Sequence, residues 1–316
     1  MMTIRIALRF SFVAAAAVLL AGCPFSGGDS NIVPAMKQLS AETQTLLAKA
    51  GMTQEAPIYV RIFKEESQLE VWKEKADGHY YLFRTYPICA WSGDLGPKVK
   101  AGDKQAPEGF YTVTPGQMNP NSQFHLAFNV GFPNTYDKAN GRTGSALMVH
   151  GDCRSAGCFA MTDALIEEIY ALAREAFKGG QSKFHVHAFP FRMTEENMKR
   201  HRKSEWYGFW KTLKAGYDDF ELSRTIPKVN VCSRNYLVNA DFLGHDAVPD
   251  ASDSCPAYQH AKLTPFNPGG NPTLLAKVPP TVTGTAPSRV ASYSAPDQKP
   301  VLAAAAHTEA APAPRF

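Results

Sequence analysis

The 316-residue chain is poor in residues that hold metals, with six cysteines and nine histidines. None falls in a zinc spacing, and the one short cluster, His150, Cys153 and Cys158, has no fourth ligand nearby. No metal or organic cofactor is expected. Charge of one sign is scarce too: 33 Lys and Arg face 29 Asp and Glu, a net of +4. No basic stripe interleaved with aromatics occurs, so the footprint of a nucleic-acid binder is missing. No internal repeat is apparent. The apolar run Phe10 to Leu20 is too short to span a bilayer. What is present is a 44% hydrophobic fraction, enough for one core of ordinary size.

That apolar run follows Arg5 and Arg9 with no acid between them, which reads as a signal peptide over 1–22. It ends Leu20-Ala21-Gly22-Cys23, which resembles the bacterial lipobox. The resemblance implies cleavage before Cys23 and lipidation of its sulfur, hence a periplasmic protein anchored to a membrane. Pro24 rather than Asp after the cysteine favours the outer membrane. Removing 1–22 deletes two arginines and no acid, taking the net charge from +4 to +2. Residues 23–56 form a tether, Pro24 to Asn31, and a short helix from Ser40 to Ala50 that Gly51 stops.

From Pro57 the period switches to two. Ile58 to Phe63, Leu69 to Trp72 and Tyr80 to Tyr86 read as half-buried strands, with Asp77-Gly78 as a hairpin between the last two. Phe110 to Thr114 and Phe124 to Asn129 continue the series. Ala146 to Val149 reads as a buried strand running into His150. From Thr162 the pattern is helical through Leu165, Ile169, Leu172, Ala173 and Ala176, closed by Gly179-Gly180. His185 and His187 share one strand face. A second helix is predicted from Glu195 to Lys214, with Met198, Trp206, Trp210 and Leu213 on its apolar stripe and Gly216 as its stop. The chain thus divides into a mainly antiparallel β domain over 57–195, a helical, cysteine-containing extension over 196–262, and a tail over 263–316. The tail holds ten of the 23 prolines and is expected to be disordered.

Chemistry concentrates between Met148 and Met161. His150 precedes Cys158 by eight residues, and Cys158 lies between a glycine and the predicted helix start, where backbone N–H groups are unpaired. The thiolate is the nucleophile, and a free thiol titrates near ~8.5. A helix N-terminus, Arg154 and His150 would each favour the thiolate. Gly157 leaves room for an acyl group. The N–H groups of Gly157 and Cys158 are candidate oxyanion donors, worth ~2.7–4 kcal/mol each in measured cases. These residues suggest acyl transfer through a thioester, with Cys158 attacking and His150 moving the proton. Ser155 is placed to order the loop or to hydrogen-bond the donor peptide. Arg142, Asn129 and Tyr136, together with Arg154, are candidate substrate contacts, since a bidentate arginine suits a peptide carboxylate. On local features alone, metal ligation, a Cys153–Cys158 disulfide and a small core cysteine stay open.

The string His150-Gly151…Ser155-Ala156-Gly157-Cys158 resembles the YafK-like branch of the YkuD family of L,D-transpeptidases; the wider family carries His-Gly and, after a loop, Ser-His-Gly-Cys. Ile62 to Glu66, Tyr86 to Lys98, Ala106 to Tyr111 and Asn119 to Ser122 resemble the same branch, so the likeness covers roughly 57–195. It departs at Ala156, where the family has histidine, and at Ala160, where it has arginine. The resemblance implies an α+β fold, a mainly antiparallel barrel-like sandwich with flanking helices. It implies peptidoglycan as partner and substrate, with attack on the third stem residue of a tetrapeptide, and a part in cell-wall biogenesis and cell shape. With water as acceptor the same chemistry becomes hydrolysis, by an L,D-endopeptidase or in detachment of a wall-linked lipoprotein. The missing histidine at Ala156 favours a different class, a non-catalytic lipid-anchored scaffold on the wall. A cysteine peptidase acting on L-residues is a third reading. Besides Cys23 and Cys158, four cysteines allow three pairings. Cys232 with Cys255 is the preferred staple, and Cys89 is the expected partner of Cys153. Oligomeric state is left open.

Overall fold

Ser40 Oγ accepts the Thr43 N–H at 3.1 Å and caps helix α1, Ala41–Lys49. The computed structural model describes residues 33–244 and 248–267; the signal peptide, Cys23, the tether from Pro24 to Asn31 and the tail from residue 268 lie outside them. Strands β1 (Ile58–Phe63), β2 (Gln68–Glu74) and β3 (Tyr80–Pro87) follow as an antiparallel meander. Gly78, at φ 76°, turns the chain between β2 and β3. Next come β4 (Ala90–Trp91), β5 (Gly109–Val113), β6 (Met118–Asn119), β7 (Ala127–Asn129), the short helix α2 (Thr135–Ala139) and β8 (Met148–His150). Then come β9 (Phe159–Ala160), α3 (Asp163–Lys178), β10 (Phe184–Phe189), α4 (Glu195–Arg200) and α5 (Tyr207–Ser223). The extension ends in two hairpins, β11 (Val229–Cys232) with β12 (Asn235–Val238) and β13 (Ala240–Phe242) with β14 (Tyr258–His260). Cys232 and Cys255 are disulfide-bonded, with Cα atoms 5.1 Å apart.

Two five-stranded sheets carry the domain, in orders β3-β2-β1-β10-β5 and β4-β9-β8-β7-β6. Each has one parallel pair, β1 with β10 and β8 with β9, among antiparallel neighbours. The fold is α+β and antiparallel-rich. Helix α3 packs against β1, β7 and β8, burying Ile166, Ile169, Leu172, Ala173 and Ala176. Thr162 Oγ1 accepts the Leu165 N–H to start it.

Strand β1 is buried at all six positions rather than at alternate ones. Its second face, with Tyr59 and Phe63, lies under α5, where Tyr217 and Phe220 meet those rings. Trp210, Leu213 and Phe220 are fully buried in that layer, each contributing about 1.5–3 kcal/mol. The predicted helix over Glu195 to Lys214 is in fact two. His201 ends α4 by stacking on Phe191 at 4.5 Å and pairing with Glu65 at 3.1 Å. Helix α5 then runs through Gly216 to Ser223, where Arg224 adopts φ 56°. Gly216 is a packing glycine and no stop: a Cβ there would lie 2.6 Å from the Phe110 ring.

Candidate active site

The site is built on the only parallel pair of the second sheet. Register pairs Val149 with Phe159 and His150 with Ala160. Cys158 therefore enters the ladder beside Met148, whose N–H lies 3.4 Å from Sγ. Cys158 directly precedes β9, so the histidine on β8 and the cysteine lie two residues out of step across this pair. Cys158 is a free thiol, so the Cys153–Cys158 disulfide does not form.

His150 is buried and its Nδ1 lies 2.6 Å from the Gly151 carbonyl oxygen. A carbonyl only accepts, so Nδ1 carries the proton and Nε2 keeps its lone pair. Phe124 lies against the imidazole, ring centroids 4.8 Å apart. Burial pushes the His150 pKa below the ordinary imidazole value, partly offset by the bond to Gly151 and by Asp152. Burial raises the Cys158 pKa, opposed by the Met148 N–H and by Lys98. At rest the site holds a neutral imidazole and a neutral thiol, whose nearest acceptor is the Ala146 carbonyl at 3.7 Å.

The expected thiolate activation by a helix start is corrected here. Strand β9 follows Cys158, and α3 opens only at Asp163, so its N-terminal N–H groups cap elsewhere. Ala146 is not strand; it turns at φ 56°, and β8 begins at Met148. Arg154 holds the Asp152 carboxylate at the exposed rim, its Nε 3.0 Å from Oδ2. Among the described residues, the positive charge of Lys98, which the sequence reading did not single out, works against the rise of the thiol's pKa.

The loop between the two strands is tied down at several points. Cys153, at φ 49°, is bonded to Cys89 with Cα atoms 5.1 Å apart, and its N–H reaches the Met161 carbonyl at 3.2 Å. With its sulfur so engaged, Cys153 is withdrawn from any metal set with His150 and Cys158. Asp163 Oδ1 accepts the Asp152 N–H at 2.9 Å. A Cβ on Gly151 would sit 2.5 Å from that same oxygen, which explains a glycine directly after the histidine. Ser155 Oγ donates to the Cys158 carbonyl at 2.7 Å and accepts the Gly157 N–H at 3.3 Å. The Gly157 N–H is thereby engaged, leaving the Cys158 N–H of the expected oxyanion pair. Gly157 itself stands at φ 129°, open to few other residues.

The remaining predicted contacts lie elsewhere. Arg142 is buried against Asp137, Nη1 to Oδ1 2.9 Å, and covers the Tyr136 and Phe209 rings at 4.9 and 4.7 Å. Its carboxylate partner is internal. Tyr136 stacks on Tyr236 at 4.2 Å within the aromatic layer around Trp210. Asn129 closes a turn, its Oδ1 accepting the Gly131 N–H at 2.9 Å. His187 is a core residue bonded to the Tyr59 hydroxyl at 2.7 Å.

Residues 57–178 match the L,D-transpeptidase catalytic domain, YkuD. YafK of Escherichia coli (strain K12) is 41% identical over 244 residues, spanning 77% of this chain and 94% of that protein, and YafK of Escherichia coli O157:H7 gives the same figures. The chain belongs to the YkuD family of L,D-transpeptidases. It is an enzyme of that class, and peptidoglycan is the substrate the domain implies. Among solved structures, the helical cell shape determining protein Pgp2 of Campylobacter jejuni is 18% identical over 60% of this chain and 79% of that one, at a TM-score of 0.34. Bd1075 of Bdellovibrio bacteriovorus is 20% identical over 52% of this chain and 60% of that one, at 0.30. The matched residues of this L,D-transpeptidase include the stretch from His150 to Cys158.

Proposed function

We propose that the enzyme transfers peptidoglycan stem peptides through a thioester on Cys158. The observation that carries this reading is the Nδ1–H bond to the Gly151 carbonyl, which leaves Nε2 of a buried His150 with its lone pair, on the strand paired with the segment that Cys158, a free thiol, leads into. Nε2 takes the thiol proton as Sγ attacks the carbonyl of the third stem residue, meso-diaminopimelate. The C–S bond forms and the carbonyl π electrons move to oxygen, where the Cys158 N–H meets them. Collapse breaks the amide, and His150 returns its proton to the departing D-alanine amine. An acceptor amine then reverses the sequence. No ATP is consumed, because one amide replaces another of similar energy.

Ser155 supports this chemistry by fixing the Cys158 carbonyl and the Gly157 N–H together. Ala156, where the family has histidine, is compatible because the base is supplied by His150. The Leu20-Ala21-Gly22-Cys23 sequence and two cystines support export to an oxidising compartment, the periplasm, with a lipid anchor on Cys23 that holds the chain to the outer membrane. Membrane fractionation of the exported chain with and without Cys23→Ser checks the anchor.

The decisive experiment incubates the enzyme with sacculi and with a tetrapeptide, reading muropeptides and the intact mass of the protein. The expected result is a tripeptide adduct on Cys158 and new cross-links or exchanged termini. Cys158→Ser should keep the fold and show no thioester. An adduct on that variant, or none on the natural chain, would sink the reading. Products ending at the third residue with no new amide would assign water as acceptor.

A further inference from the structure

We propose that Lys98 is the specificity residue for the acyl donor, reading a carboxylate on the leaving residue next to Cys158; the donor class rests on the transpeptidase reading above. The argument starts from the loop that carries it. Asp103 organises residues 98–105 by accepting the N–H groups of Val99 and Lys100 at 2.9 Å and of Gln105 at 3.1 Å. The loop then lies against the nucleophile's own loop. Ser92 Oγ donates to the Lys104 carbonyl at 2.7 Å and stands 3.5 Å from Ser155 Oγ. The Gln105 carbonyl is 3.7 Å from where a Gly157 Cβ would be.

Lys98 completes this wall. Its side chain is almost wholly buried and runs along Gly144, where a Cβ would meet Lys98 Cε at 2.7 Å. Two residues on, the Ala146 carbonyl receives the Cys158 thiol. Lysine and cysteine thus border the same short segment, 144–146. The ammonium has three N–H donors. Two acceptors are in place among the described residues, the Lys100 carbonyl at 3.0 Å and the Asp103 carboxylate. The carboxylate is shared with three backbone N–H groups. One of the three ammonium donors remains for a ligand. The thiol feels the ammonium charge, which opposes the rise of its pKa. Burial makes the charge worth more than a solvated one.

The ligand chemistry follows from the bond broken. The residue that departs from a tetrapeptide ends in a free carboxylate one residue beyond the scissile carbonyl. A cation bordering the sulfur suits that group, and a chain extended by another residue, or amidated, would not supply it there. Arg142, whose carboxylate partner is internal, does not compete for this role.

Alkylation tests the assignment without any peptide. Iodoacetate and iodoacetamide each lose iodide to Cys158 Sγ, differing in one negative charge. The iodoacetate-to-iodoacetamide rate ratio is expected to exceed that of free cysteine by roughly fivefold. Lys98→Met should drop it to the free-cysteine ratio and Lys98→Arg should keep it, with circular dichroism and thermal melting confirming both folds. In parallel, the natural chain should process a tetrapeptide faster than its C-terminal amide, through KM, and Lys98→Met should treat the two alike. A natural-chain ratio no higher than that of free cysteine overturns the proposal even if Lys98→Met fails to fold. Persistence of the enrichment in Lys98→Met overturns it too. Failure of every stem peptide to acylate the enzyme would count against the transpeptidase reading alone, because alkylation decides the Lys98 assignment by itself.

Discussion

In the proposed mechanism two side chains carry the chemistry, and burial governs both. The Cys158 thiol titrates above its ordinary value and the His150 imidazole below its own, desolvation being the largest cause in each case. The sign follows directly. A base with a lowered pKa stays unprotonated until the pH falls below about 6.5. A thiol with a raised pKa stays protonated through neutrality. An ion pair of thiolate and imidazolium would instead give a thiolate present far into the acid range. Alkylation of Cys158 by iodoacetamide is therefore expected to rise about tenfold per pH unit between pH 6 and 8, without a neutral plateau. A flat profile across that interval, measured by loss of free thiol, would restore the ion pair. The catalytic rate, by contrast, should lose its acid limb below the usual imidazole range, because only neutral His150 accepts the proton.

At the scale of elements, Gly216 in α5 sets two effects against each other. Alanine there would gain about 1 kcal/mol of helix propensity. Its methyl would also meet the Phe110 ring at 2.6 Å, and overpacking typically costs about 1–3 kcal/mol. The ring is held by Tyr236 and His187, with centroids at 4.8 and 4.7 Å, so it has little room to give. Gly216→Ala is expected to lower stability by about 1 kcal/mol, read from the urea midpoint. A raised midpoint would show that the ring yields. The same position illustrates what the sequence could convey. Periodicity located β1, β2, β3, α1 and α3 well, because each buries a face that its own residues encode. Strand β9 was hidden because Phe159-Ala160 is too short to alternate; α3 starts where expected, capped by Thr162, but β9 stands between it and Cys158. The break between α4 and α5 depends on Glu65 and Phe191, far away in sequence. Arg142 looked like an open carboxylate clamp because its burial against Asp137 and Phe209 is a tertiary fact. The spacing of His150 and Cys158 was readable as a strand and a tight loop, and the structure sets them two residues out of step across β8 and the start of β9. Lys98 comes to border the same segment as the cysteine by closure of a long loop, which leaves no local pattern.

Across the whole molecule, one buried ion pair joins the helical layer, the first sheet and the loop beside the cysteine. Lys64, directly after β1, donates to Glu108 Oε1 at 2.9 Å and to the Gly96 and Ala106 carbonyls at 2.8 and 3.1 Å. Glu108 accepts the Gly96 N–H at 2.7 Å and the Trp210 indole N–H of α5 at 2.8 Å. Both side chains are fully buried, and desolvation lowers the Lys64 pKa against the pull of Glu108. A pair of this kind adds little net stability, yet removing one partner strands the other charge at a cost of about 3–5 kcal/mol. Lys64→Met should therefore destabilise strongly. Adding Glu108→Gln removes the stranded charge and keeps an acceptor for the Gly96 N–H, so part of that loss should return in the urea midpoint. Activity should not return with it. The Gly96 and Ala106 carbonyls lose the Lys64 ammonium in both variants, the Gly96 carbonyl keeping only the Gln105 amide at 2.7 Å, and those carbonyls bracket the loop that carries Lys98 and rests against Gly157. A double variant that regains stability while kcat/KM stays low would separate holding the fold from positioning the site. Recovery of both together would reduce the pair to a structural contact.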